Sequence, residues 1–213
     1  MHKFLKRIFY LFILKPIVYF CLGLNIRNSQ NIPKNGPCII VSNHNSHLDT
    51  IVLMTLFPTR KMLKISPVAA ADYFLKNPIV AWISLNIFNI IPLSRKVSKT
   101  AQEEFYEKLD ERLKNGNIII LYPEGSRGEP GKMSNFKSGI AHIAKLHPEV
   151  PIIPVYMEGL GMALPKGEAV FVPAICTVVI EKPIFYEDDK DEFMQRLKDI
   201  FDEMQKELVK EEI

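Results

Sequence analysis

Two polar stretches carry side chains whose types and spacing suit catalysis. The first is Asn43-His44-Asn45-Ser46-His47-Leu48-Asp49. A histidine beside a carboxylate is the simplest general base, because the carboxylate holds one imidazole tautomer and stabilises the imidazolium formed on proton transfer. Five residues apart on a regular helix, His44 and Asp49 would stand roughly 140° apart and would not meet. Pairing therefore requires His44 in a strand-to-helix turn and Asp49 in the first turn of the helix, with Ser46 as the N-cap. Three other readings use the same residues. Ser46-x-x-Asp49 is a capping-box pattern in which Asp49 only closes a helix end. His44 also suits a structural histidine at a strand end. His44, His47 and Asp49 are metal-ligating residue types, although their spacing departs by one residue from H-x-H-x-D.

The second stretch is Tyr122-Pro123-Glu124-Gly125-Ser126-Arg127-Gly128, followed by Phe136-Lys137-Ser138-Gly139. Gly125 permits a tight turn that exposes backbone N–H groups, and Ser126 adds a hydroxyl donor. The five-donor guanidinium of Arg127 matches two oxygens of one phosphate. Glu124 would hold Arg127 or bind a substrate hydroxyl. Ser94-Arg95-Lys96 ends another apolar stretch. If the strands before these turns are neighbours, Arg95, Arg127 and Lys137 converge on one anion. A polar surface turn closed by an ion pair is the alternative.

The elements that must position these residues are legible in outline. Cys38–Ser42 reads as a short buried strand leading into a helix from about Leu48 to Phe57. Lys61–Ile65 and Ile87–Leu93 read as short strands with a helical stretch around Trp82 between them. Ser98–Asn115 is amphipathic and stops at Gly116. Asn117–Tyr122, bounded by Gly116 and Pro123, is the clearest strand. Phe136–Leu146 reads as a helix, and Pro151–Met157 as a buried strand. Val170–Ile180 suits a strand near a sheet edge. Phe193, Leu197, Ile200, Phe201, Met204 and Leu208 mark an amphipathic C-terminal helix. The alternation predicts an α/β fold: a mixed, mostly parallel sheet with helices on both faces, and ligands at the C-terminal strand ends.

Residues 4–24 are apolar and aromatic, with Lys3, Lys6, Arg7 and Lys15 nearby and no acidic residue. Lys15-Pro16 interrupts the run, no small-x-small cleavage site follows Leu24, and Ile8–Leu14 is far short of the roughly 20 residues a spanning helix needs. The segment reads as a monotopic anchor in the lipid interface. A helix on the protein's own core and a single spanning helix are the alternatives. The expected division is an anchor over residues 1–27 and an enzyme domain over 28–213.

Composition narrows the classes. A chain of 213 residues, 47% of them hydrophobic, builds one core and is neither disordered nor fibrous. A net charge of +3 does not suggest nucleic acid. Cys21, Cys38 and Cys176 lie far apart with no C-x-x-C pair, which argues against a disulfide framework or a cysteine-rich zinc site and suits a reducing compartment.

The order Asn43-His44 to Asp49, then Ile91-Pro92-Leu93-Ser94-Arg95, then Tyr122 to Arg127, then Ile153-Pro154-Val155 resembles the four motif blocks of glycerolipid acyltransferases. The likeness is greatest to the bacterial lysophosphatidic acid acyltransferases. It spans about Pro33 to Ile184, and the first and third blocks together carry most of its specificity. The resemblance implies that His44 and Asp49 form a catalytic dyad, and that Arg95, Glu124, Gly125, Ser126 and Arg127 bind the acceptor's glycerophosphate. Lys137 is a further candidate there. It implies no metal and no cofactor, with acyl-CoA or an acyl carrier protein thioester as co-substrate. The implied partners are membrane lipids and a lysophospholipid, at the cytoplasmic face of the inner (cell) membrane. Tyr122 and Ser126 stand where the family more often has Phe and Thr, and Pro92-Leu93-Ser94 replaces a more Gly-rich lead-in. Another acceptor, such as a lyso-amino lipid, is the alternative within the enzyme reading. A non-catalytic membrane lipid-binding protein and a metallohydrolase are the alternatives outside it.

Overall fold

The computed structural model describes residues 2–94, 98–164, 172–187 and 189–211. Chain order runs α1 (His2–Phe9), a π-helical turn (Tyr10–Leu14), α2 (Lys15–Cys21), β1 (Leu22–Arg27), β2 (Cys38–Ser42) and α3 (Leu48–Thr55). A 3-10 segment (Thr59–Lys64), β3 (Ile65–Ala70), α4 (Ala71–Phe74), α5 (Pro78–Asn86), β4 (Ile91–Leu93), α6 (Lys99–Lys114) and β5 (Ile118–Leu121) follow. The chain continues through α7 (Gly139–Leu146), β6 (Ile152–Glu158), α8 (Leu160–Ala163), β7 (Ala174–Ile180) and α9 (Lys190–Glu211).

The strands form one seven-stranded sheet in the order β1-β7-β6-β2-β5-β3-β4. Every pairing is parallel except β6 with β7. The side-chain alternation of a strand splits the core in two. Cys38, Ile40, Ile118, Ile120, Ile153 and Val155 face α3 and the N-terminal helix. Ile39, Val41, Ile119, Leu121, Ile152 and Tyr156 face α6, α7 and α9. The expected α/β architecture, with helices on both faces, is the one observed.

The N-terminal segment differs from the expectation in two ways. Its helix is not broken at Lys15-Pro16: Pro16 cannot donate to the preceding turn, and the helix widens into a π turn over Tyr10–Leu14 instead. Nor do the first 27 residues form a separate packing unit. Tyr10, Leu14, Val18 and Leu22, four apart, are buried in the main core, and Leu22–Arg27 is the edge strand pairing with β7. The Tyr10 hydroxyl donates to the Met54 carbonyl of α3. The opposite helix face is open, with Phe12 73% and Phe20 88% exposed. Among the described residues no helix is long and apolar enough to cross a membrane.

Smaller corrections have local causes. Lys61–Lys64 of the expected strand is the end of the 3-10 segment, and the strand begins at Ile65. Only Ile91–Leu93 of the expected Ile87–Leu93 strand is extended, because Asn89 adopts φ 58°. The side-chain amide of Asn89 there donates to the Ile65 carbonyl and Ser66 Oγ. Helix α7 starts at Gly139 rather than Phe136, since the Lys137 N–H donates to the Pro123 carbonyl and holds those residues as a loop. Strand β7 does lie near the sheet edge, second in the order, with β1 outside it. Residues 170 and 171 of the expected strand lie outside the described residues.

Candidate active site

Strand adjacency brings the two polar stretches together. β2 and β5 are parallel neighbours with Val41 opposite Leu121, so three residues further on His44 lies opposite Glu124. The two stretches then grip each other. The His44 N–H donates to Glu124 Oε1 at 2.7 Å, and the His44 carbonyl accepts from the Gly128 N–H at 2.8 Å. On the other side of β2, Asn43 bonds both polar groups of Met157 in β6 at 2.8 Å each. The backbone at His44 is therefore fixed from both neighbouring strands.

Asp49 sits in the first turn of α3, where the spacing requires it. Its Oδ2 lies 2.8 Å from His44 Nδ1 and accepts the N–H groups of Asn45 at 2.7 Å and Ser46 at 2.9 Å. The helix-end and dyad readings are thus both true of one oxygen. Ser46 helps to start the helix: its Oγ accepts from the Leu48 N–H at 3.2 Å, although His47 occupies the N-cap position. Asp49 is 1% exposed, and among the described residues its Oδ1 has no hydrogen-bond partner. Because Oδ2 already receives two backbone donors, it accepts from Nδ1–H as well, and Nε2 is left as the basic ring nitrogen.

Tyr122 completes the mounting of His44. The two rings stack with centroids 3.9 Å apart, 14° from parallel, and the Tyr122 hydroxyl lies 2.8 Å from Thr50 Oγ1. Burial pushes the Tyr122 phenol well above its ordinary range, so it stays neutral.

His44 opens onto a cavity of about 670 Å³ that Thr50, Gly125, Ser126, Arg127 and Lys137 also line. Its walls are mostly apolar, including Ile51, Val68, Phe74, Phe88, Phe105, Tyr106 and Ile143. Gly125, at φ 72°, adopts a left-handed backbone that strains any other residue, and a Cβ there would also displace the Lys137 side chain. Arg127 lies over the ring of Tyr73, its Cζ 6.0 Å from the centroid, and the Tyr73 hydroxyl is 3.3 Å from His47 Nε2. Burial, then the charge of Arg127, lowers the His47 pKa, which keeps that imidazole neutral near pH 7.

Of the expected acceptor residues, Gly125, Ser126, Arg127 and Lys137 share the cavity with His44. Ser94 reaches it as well, while Arg95 lies outside the described residues. Glu124 is placed differently. It is 3% exposed, it does not line the cavity, and its oxygens accept the N–H groups of His44 and Ser134, each at 2.7 Å. These two bonds brace the turn beneath His44. Sequence reasoning missed the parts played by Tyr122, Thr50, Tyr73 and His47. Tyr122 was visible as an aromatic residue opening the third motif block, but its stacking follows from the β2–β5 adjacency. Among the described residues, no group of three or more His, Cys, Asp or Glu could hold a metal ion.

Known proteins resemble this chain in sequence and in fold. The chloroplast 1-acyl-sn-glycerol-3-phosphate acyltransferase BAT2 of Brassica napus is 28% identical over 170 residues, 79% of this chain and 47% of its own length. A Pseudomonas aeruginosa 1-acyl-sn-glycerol-3-phosphate acyltransferase is 30% identical over 156 residues, 73% of this chain and 56% of its own. The chain therefore spans about half the length of these curated relatives. The crystal structure of the 1-acyl-sn-glycerophosphate (LPA) acyltransferase PlsC from Thermotoga maritima matches with a TM-score of 0.75 at 26% identity, covering 97% of this chain and 79% of that one. The acyltransferase family profile matches residues 23–158, from the edge strand β1 through the His44–Asp49 pair to the end of β6, and this chain belongs to that family.

Proposed function

We propose that this chain transfers a fatty acyl group from a thioester of coenzyme A or acyl carrier protein to the free hydroxyl of lysophosphatidic acid, giving phosphatidic acid for phospholipid synthesis. The observation that carries this reading is the opening of the His44–Asp49 pair onto the same apolar-walled cavity as Arg127 and Lys137. The printed names of the relatives support lysophosphatidic acid as the acceptor.

The acceptor's phosphate lies on Arg127 and Lys137, and the family resemblance adds Arg95, the residue after Ser94 in the sequence, as a further cation. Its hydroxyl oxygen attacks the thioester carbonyl carbon while His44 Nε2 removes the proton, and Asp49 stabilises the imidazolium that results. The tetrahedral intermediate collapses, the C–S bond breaks, and the leaving thiolate takes the proton from His44. A thiolate leaves readily, so no acyl-enzyme is required. Cys38 and Cys176 are buried, and burial pushes their thiols up to about 12 and about 11, which makes both poor nucleophiles. General-base assistance of this kind contributes about 10²–10⁴ in rate, and clamping the phosphate adds positioning.

The exposed aromatic face of the N-terminal helix, with Arg7 and Lys15 beside it, rests on the cytoplasmic face of the cell membrane as a monotopic anchor. Deleting the helix would uncover the core at Tyr10, Leu14 and Val18, so charge substitutions at Phe12 and Phe20 are the cleaner probe.

The test incubates purified full-length chain with lysophosphatidic acid and each thioester, reading thiol release and product mass. Wild type should release thiol and form phosphatidic acid, and His44→Ala should do neither while remaining folded. Absence of thiol release with both donors across a lysolipid panel would leave only a lipid-binding role. Turnover of a lyso-amino lipid in place of lysophosphatidic acid would correct the acceptor and keep the chemistry.

A further inference from the structure

Helix α5 is inverted for a helix of a water-soluble domain. Its one buried side chain is Ser84, while Ile79 is 70% exposed and Trp82 43%, with Val80 and Leu85 open beside them. Isolated surface apolar residues are ordinary, but a helix apolar all round belongs in a core or in lipid. No charged residue occurs from Asn77 to Ser94.

The helix also satisfies its own ends. Asn77 Oδ1 accepts the N–H groups of Ile79 at 2.9 Å and Val80 at 3.2 Å. At the other end the Asn86 amide donates to the Trp82 carbonyl at 2.9 Å. The N–H groups of Ile87 and Phe88 close on the Ile83 carbonyl, and that of Ile90 on the Ser84 carbonyl. A helix with these groups satisfied can leave water without stranding polar backbone.

Its position gives the patch a use. Ser84 and Phe88 form part of the cavity wall. Phe88 also packs edge-on against Phe9 of the N-terminal helix, with ring centroids 6.0 Å apart at 82°. The α5 region therefore joins the cavity on one side and the N-terminal helix on the other.

We propose that α5 is a second membrane-inserting element, which docks on the lipid bilayer in its own right and sets the mouth of the cavity among acyl chains. The acceptor's tail then reaches the His44 end of the cavity without crossing water; that it is an acceptor's tail rests on the acyltransferase reading above. Trp82 suits the headgroup level, where amphipathic aromatic rings collect, and Lys76 precedes the helix to meet anionic headgroups.

Trp82 is the one tryptophan of the chain, so its intrinsic fluorescence reports this helix alone. The full chain is mixed with phosphatidylglycerol–phosphatidylcholine vesicles, with and without lipids brominated at set depths, and binding is measured in parallel by co-sedimentation. The expected result is binding, a blue-shifted emission, and quenching by about half or more with shallowly brominated lipids. Ile79→Glu, a change at an exposed site outside the cavity, should weaken partitioning about tenfold. Binding without quenching would overturn the proposal and leave the N-terminal helix as the whole contact. Failure to bind vesicles would overturn it too. So would a blue shift without lipid that grows with chain concentration, since a second copy would then cover α5. Quenching in a preparation that releases no thiol would support α5 as a lipid contact while sinking the acyltransfer reading.

Discussion

The ring of Tyr122 stacks 3.9 Å from the imidazole of His44, 14° from parallel, and its hydroxyl reaches Thr50, the residue after Asp49. One side chain thus fixes the plane of the base and ties β5 to the helix that carries the base's partner.

Two substitutions separate these roles. Tyr122→Phe keeps the stack and leaves the Thr50 hydroxyl without this partner. It should cost about 1 kcal/mol of stability with kcat nearly unchanged. Tyr122→Ala removes the stack, frees the imidazole to turn, and should lower kcat by tenfold or more. Denaturant melts beside steady-state rates check this; an unchanged kcat in the alanine variant would show that Asp49 alone orients His44.

Glu124 offers a sharper distinction, between bracing the turn and binding the acceptor. Because it holds the N–H groups of His44 and Ser134, Glu124→Gln turns an amide donor toward one of them. The expected loss is about 10²-fold in kcat, with the KM for lysolipid little changed. A rise in KM at constant kcat would instead mean that the carboxylate touches the acceptor.

For Arg127 the expectation is reversed. A fork that matches two phosphate oxygens is not replaced by a point charge, so Arg127→Lys should raise the KM of a phosphate-bearing acceptor roughly tenfold or more. An acceptor with an uncharged head should lose much less. Equal losses for both acceptors would assign Arg127 to the loop's structure rather than to the anion.

Lys6 supplies a pH dependence of stability. It is 5% exposed on α1, which packs on the 3-10 segment, and burial, then the charge of Arg112, lowers its pKa from 10.5 to about 8. Between those values the unfolded chain carries the proton and the folded chain does not, so stability rises with pH across that window. At pH 7 the buried charge costs up to about 3 kcal/mol. Lys6→Met should therefore raise Tm at pH 7 and flatten the rise from pH 8 to 10.5. Thermal melts of both chains across that range decide it, and parallel pH profiles would refute a buried charge at Lys6.

Much of this protein was legible one element at a time. The run CIIVS into Asn43-His44 specified a strand followed by a polar turn, and the five-residue step to Asp49 required the strand-to-helix geometry that is observed. These are local facts, set by side-chain periodicity and helix angle. What the tertiary structure alone decided is adjacency. No local pattern says that β5 lies beside β2, and that pairing puts Glu124 under His44 and stacks Tyr122 on the imidazole. The same holds at the other end of the sheet, where Leu22–Arg27 became a strand because β7 offered it an open edge. Residue type and spacing determine which groups can react, whereas the meeting of groups distant in sequence depends on the order of strands, which is set by packing the whole chain.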